Sequence, residues 1–127
     1  MASCLADLAR VSFLQGHDRL AGSLYQEGLV LFGLLGDRRG ICRTLEGFAL
    51  MASSREQWPA LLRLAGAAWN IRRMLGVHQA QTRKTELETC LRRARECVGA
   101  DADALWADGS RMSIEAAMQY ALDSAPK

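Results

Sequence analysis

Proline occurs only twice in the 127 residues and aromatic side chains make up only 6%. β-Branched residues are also few, against many alanines and leucines, so the chain has little to build strands from and little to interrupt helices. An all-α fold is expected. A formal net charge of +2 is too small to point to nucleic acid or to a membrane surface by itself. Lysine is almost missing, and arginine supplies 14 of the 16 basic residues. The four cysteines, Cys4, Cys42, Cys90 and Cys97, form no close CxxC pair, and the two histidines, His17 and His78, are remote in sequence. A zinc site is therefore not expected, and neither metal nor cofactor is assigned.

No GxxxxGK[ST] phosphate loop is found. The longest apolar run, Gly28 to Gly36, is too short to span a bilayer, so no membrane role is expected. Met1 to Arg10 lacks the basic start and apolar stretch of a signal peptide, and a reduced, cytoplasmic setting is the expectation. The histidines, cysteines and glutamates stand in no nucleophile or paired-carboxylate context, so no catalytic residue is proposed. Glu46, Glu56, Glu86 and Glu88 read as surface charges.

What the chain does have is a near-repeat. Leu5, Leu8, Ala9, Leu24, Gly28, Leu31, Leu34, Leu35 and Gly36 align, forty residues on, with Leu45, Phe48, Ala49, Leu64, Ala68, Ile71, Met74, Leu75 and Gly76. All sit where a helix hairpin needs apolar or small residues, and such a period read on helices means stacked helix pairs. One domain is expected over 1–127, with repeat 1 at 1–36 and repeat 2 at 37–76. Ser3, Asp18 and Asp37 are the expected caps of the first three helices, Ser53 and Ser54 break the third, and the fourth runs from near Gln57 to Gly76 with Pro59 in its first turn. Val77 to Thr82 reads as a polar connection.

A capping helix over 83–98 then places Leu87, Cys90, Leu91, Ala94, Cys97 and Val98 on one face. Cys90 and Cys97 read there as small core residues. Two short terminal helices fill 101–123, the first closed by Gly109 and the second capped by Ser113.

The strings LGDRRGICRTLEGFALMA, LLRLAGAAWNIRRMLG and ALWADGSRMSIEAAMQYAL resemble the C-terminal helical-repeat region of large bacterial regulators. Those regulators join a signal-transduction ATPase module to tetratricopeptide-like repeats, often with a LuxR-type or SARP-type DNA-binding domain or a cyclase domain. The likeness runs from about Leu24 to Leu122, through turn, cap and packing motifs. Trp58, Leu62, Trp69 and the Val77 to Thr82 connection depart from the family pattern. The resemblance implies a tetratricopeptide-like α-α superhelix of two antiparallel hairpins with C-terminal capping helices. It also implies a non-catalytic role in protein–protein interaction or oligomerisation within a transcriptional or signalling regulator.

Two apolar excesses have a packing reading and a binding reading. The run from Leu29 to Leu35 is apolar all round its helix: either it is sandwiched between neighbours, or Val30 and Leu34 remain exposed for another chain. On the fourth helix a second stripe, Trp58, Leu62, Ala65 and Trp69, is covered by the fifth helix or supplies interface anchors. A groove on the first helix of each pair would use Arg10, Gln15, Arg43, Glu46 and Leu50. The expected partner is a protein or peptide, with a homodimer the simplest use of the apolar edges. The alternative is a nucleic-acid-associated domain using Arg38 and Arg39, Arg72 and Arg73, and Arg92, Arg93 and Arg95. Direct nucleic-acid binding is not expected, since those arginines lie among acidic residues and without exposed aromatics between them.

Overall fold

The computed structural model describes residues 2–77 and 81–124, with the backbone alone at position 82. Every element among them is helical. The helices are α1 (Ala2–Leu14), α2 (Asp18–Leu35), α3 (Arg38–Ser54), α4 (Trp58–Leu75), α5 (Gln81–Val98), α6 (Ala102–Ser110) and α7 (Ile114–Ser124), with a 3-10 turn at Gly99–Asp101 before α6.

The first four helices end alike, at intervals of twenty residues. The N–H groups of His17, Asp37, Gln57 and Val77 donate to the carbonyls of Ser12, Phe32, Ala52 and Arg72. The residue before each donor, at 16, 36, 56 and 76, has positive φ. This is a left-handed helix stop, which satisfies carbonyls the helix leaves unpaired. Three of the four positions are glycine, the residue that takes this conformation without a Cβ penalty; Glu56, at φ 58°, is the exception. Residues 17, 37 and 57 also accept the first backbone bond of the next helix, from Ala21, Ile41 and Leu61. Each turn therefore closes one helix and opens the next with no spare residue, which makes neighbours antiparallel.

Asp37 caps α3 as expected, its Oδ1 accepting from the Gly40 N–H at 3.0 Å. Ser113 likewise caps α7, accepting from the Ala116 N–H at 3.0 Å. Other boundaries shift. Ser3 lies inside α1, His17 rather than Asp18 holds the cap position of α2, and α3 continues through Ser53 and Ser54. Ser54 stays helical by turning its hydroxyl back to the Met51 carbonyl. Residues 78–80, within the expected connection and including His78, lie outside the described residues; Gln81 and the backbone of residue 82 already belong to α5.

α3 is the central helix. Thirteen of its 17 residues are buried, and α1, α2, α4, α5 and α7 all pack on it. Tyr25 and Phe32, seven apart on α2, lay their rings on Gly47 and Gly40, seven apart on α3. A Cβ at Gly47 would come within 2.5 Å of the Tyr25 ring, and one at Gly40 would enter the Phe32 ring. Thr44, buried between them, donates its hydroxyl to the Gly40 carbonyl at 2.8 Å.

α6 does not end at Gly109. That residue sits in the last turn, where its α-carbon presses on the Arg63 backbone of α4. Gly66 returns the contact one turn along: a Cβ there would stand 2.5 Å from the Trp106 carbonyl oxygen. α6 thus crosses α4 at backbone contact. Arg63 clamps the crossing through Asp108 at 2.8 Å. α7 then rests Ala117 and Ala121 in the core, and the Met118 methyl lies against Gly33 of α2.

Candidate functional site

The face of α1 and α3 expected to hold a partner is occupied by the chain's own α5. Arg10 of α1 pairs with Glu86 of α5 at 2.5 Å. Arg83 of α5 donates to the Arg43 carbonyl of α3 at 3.4 Å. The Arg43 side chain pairs with Asp7 at 3.1 Å. Tyr25 lies under this layer: burial raises its phenol above the usual value, while the neighbouring Arg83 and Arg10 charges oppose the rise. Burial also lowers the Arg83 guanidinium from its ordinary value.

Glu46 is the largest correction at this face. It is no surface charge: it is 1% exposed and holds Arg72 of α4 in a two-pronged bond, Nε to Oε2 at 2.7 Å and Nη2 to Oε1 at 2.9 Å. Burial pulls Arg72 toward neutrality, and the bond to Glu46 more than reverses it. Leu50 is buried as well and offers no surface. Of the five groove candidates, Gln15 alone is exposed and without a described ion pair.

The α4 stripe divides. Leu62 and Ala65 are buried within the chain, so Leu62 is core, not interface. Trp58 is half-buried, with the Arg93 guanidinium of α5 5.5 Å from its ring centre. Trp69 is 51% exposed. Its ring meets that of Trp106 at 6.0 Å and 54°, and Arg73 stands 5.6 Å from its centre.

On α2 the division is different. Tyr25, Leu29 and Phe32 are buried, while Leu20, Val30, Leu34 and Leu35 face solvent, Leu34 at 79%. Leu8, Val11 and Leu14 of α1 are exposed too. Seven of the nine large apolar side chains exposed among the described residues thus lie on the first hairpin. On α2, Leu20, Leu24, Leu31 and Leu34 fall at i, i+4, i+11 and i+14, one stripe turned from the buried face. Val30 and Leu34 also edge a shallow groove of about 440 Å³ with Ile41 of α3 and Ile114 and Met118 of α7.

Cysteine chemistry is dispersed. Cys42 is fully buried, and burial pushes its thiol up to about 11. Cys97 is exposed rather than core, Cys90 is half-buried, and Cys4 is exposed on α1. Among the described residues no group of three or more His, Cys, Asp or Glu is placed to hold a metal ion. None of the described helices is long and apolar enough to cross a membrane.

Sequence reasoning missed the Glu46–Arg72 pair, whose members stand 26 positions apart with no local cue, and the covering of the α1/α3 face by α5. The Glu86 charge opposite Arg10 was visible, but its position across the fold was not. No protein-family model, no curated protein and no solved structure matches this chain.

Proposed function

We propose that the chain is a non-catalytic protein-interaction module of tetratricopeptide-like build, the helical-repeat part of a bacterial transcriptional or signalling regulator, and that it pairs with a second copy through the outer face of its first hairpin. One observation carries the reading: the exposed apolar surface is gathered on α1 and α2, where Leu8, Val11, Leu20 and Leu34 stand in water. A stacked helix pair buries such a face against its neighbour, and among the described residues α1 and α2 meet α3, Glu86 of α5 and Met118 of α7, none of which covers Leu8, Val11, Leu20 or Leu34. A second copy supplies the missing cover.

The test is light scattering coupled to size exclusion over a hundredfold concentration range. A mass twice the 14.0 kDa of one chain is expected, and Leu20→Glu with Leu34→Glu should return it to one. Both residues are exposed, so helicity should survive. A wild-type chain that stays monomeric throughout overturns the pairing.

No observation favours the nucleic-acid alternative. Arg72 is tied to Glu46, Arg93 lies over the Trp58 ring, and Arg95 pairs with Asp103 at 2.7 Å. Phosphate binding through these clusters would show as affinity for duplex DNA falling steeply with salt; no such affinity is expected.

A further inference from the structure

We infer that the cleft between α4, α5 and α6 is a second binding site, which takes an acidic peptide segment: one large apolar side chain enters beside Trp69 and Trp106, and the flanking carboxylates meet Arg73 and Lys84. This site is independent of the first hairpin.

Two adjoining hollows, of about 620 and 230 Å³, share Trp69, Arg72 and Lys84 as a common wall. The smaller is walled otherwise by Ala65, Leu87, Leu91 and Trp106, with Glu88 at its edge. Its lining joins two indoles and the aliphatic Ala65, Leu87 and Leu91 to the charged Arg72, Lys84 and Glu88. The larger opens outward past Arg73. A cleft with an apolar recess and a cationic mouth selects a ligand with the complementary pair, an apolar anchor joined to negative charge. Tryptophan and arginine are the residue types most often found carrying binding energy at such places. Trp69 also stands apart among the described residues: the other large apolar side chains that are exposed, Met74 excepted, lie on the first hairpin.

Charge assigns the sign of the ligand. Arg72 is committed to Glu46, which leaves Arg73 and Lys84 as the cations at the mouth. Glu88 is the sole carboxylate on either lining, and it stands one turn of α5 beyond Lys84, away from the Arg73 side. Ring geometry separates a peptide from a nucleic acid. The indoles meet at 54° and are already in contact, so they leave no parallel slot for a base to slide between them. An aliphatic or phenyl side chain needs no such slot. Two cations are also few for a phosphate backbone, whose binding rests on many.

The experiment follows the tryptophan indole N–H signals of the 127-residue chain in a proton–nitrogen correlation spectrum. Trp69→Phe and Trp106→Phe variants assign the signals. The probe is the acetylated pentapeptide Glu-Asp-Phe-Asp-Glu, compared with its Phe→Ser form and with Lys-Lys-Phe-Lys-Lys. A saturable shift of the Trp69 signal is expected with the acidic phenylalanine peptide, and binding at least about tenfold weaker with the other two. Arg73→Glu, a substitution at an exposed position, should weaken the acidic peptide about tenfold or more with unchanged helicity. Three results overturn the inference: no saturable shift at millimolar peptide, equal binding of the lysine peptide, or tighter binding of a short oligothymidine than of the acidic peptide. The mass of the unliganded chain reports on the first hairpin alone, so each site stands or falls by its own readout.

Discussion

Glu56 is the one turn residue that works against its own backbone. It holds the left-handed conformation that glycine holds at positions 16, 36 and 76, at a steric cost of roughly 1–2 kcal/mol for a residue with a Cβ. Glu56→Gly should therefore raise stability by up to about 1 kcal/mol, since glycine's greater freedom when unfolded offsets part of the gain. Thermal unfolding should shift upward by a few degrees. Glu46 has the opposite sensitivity. Truncating it to alanine removes the two-pronged bond from an Arg72 side chain that is only 13% exposed, and breaking such a pair costs about 3–5 kcal/mol; a denaturant titration reads that loss directly. Cys42 gives the pH signature. Its thiol is held near 11 in the fold against an ordinary 9, so the folded chain keeps a proton that the unfolded chain releases. That contribution is present in full below pH 9 and is lost as pH rises toward 11, a change on the order of 2–3 kcal/mol. Cys42→Ala should flatten that part of the alkaline limb, while the raised Tyr25 phenol preserves the part above pH 10. At pH 8 iodoacetamide should label the exposed Cys4 and Cys97 and spare Cys42, as peptide mass spectrometry would show.

Most helix ends were readable from sequence to within a residue or two, because the signals are local: a glycine stop, an aspartate cap, an apolar stripe; α6, expected from an Asp101 cap through Trp106, instead runs over Ala102–Ser110 without a bond from the Asp101 side chain. The errors came where a local sign had a distant cause. Gly109 near the end of a short helix resembles a stop, yet its role is to let α6 touch the Arg63 backbone, and Arg63 lies 46 positions away. Gly109→Ala consequently tests the crossing rather than the turn. The added methyl meets main chain, which cannot swing aside as a side chain tip can. A loss of about 3 kcal/mol is expected, at the upper end of overpacking costs. Gly33→Ala makes the contrast, since the Cβ there meets the flexible end of Met118 and should cost well under 1 kcal/mol. Equal losses in the two variants would mean that the crossing is not rigid. The α5 misreading has a similar origin. Its periodic face was clear, and Leu87 and Ala94 are buried, but Cys97 at the edge of that stripe is exposed while its neighbour Val98 still packs on the core.

At the scale of the whole molecule the two ends differ, and the difference bears on how copies join. The second hairpin is covered by α5, α6 and α7, so the surface that a further repeat would occupy is already filled by the chain itself. The first hairpin keeps Leu8, Val11, Leu20 and Leu34 exposed. The apolar run of α2 left two readings open, a helix sandwiched between neighbours or one with Val30 and Leu34 exposed, because helical spacing gives a face and only packing says what covers it; both residues are exposed. Head-to-tail joining needs two different complementary surfaces and continues into filaments unless it closes a ring, whereas a single patch meeting its own copy closes at two. The proposed pairing through the first hairpin is therefore of the second kind. Its consequence is visible in a mixture. A chain carrying Leu20→Glu and Leu34→Glu should elute as a monomer beside wild-type dimer, because the one patch it could use is spoiled. Under head-to-tail joining the same variant would keep a sound second surface and bind wild-type chains as a terminal cap. Co-elution of a tagged variant with untagged wild type would thus refute the closed pair, and a mass that climbs past two copies with concentration would refute it equally.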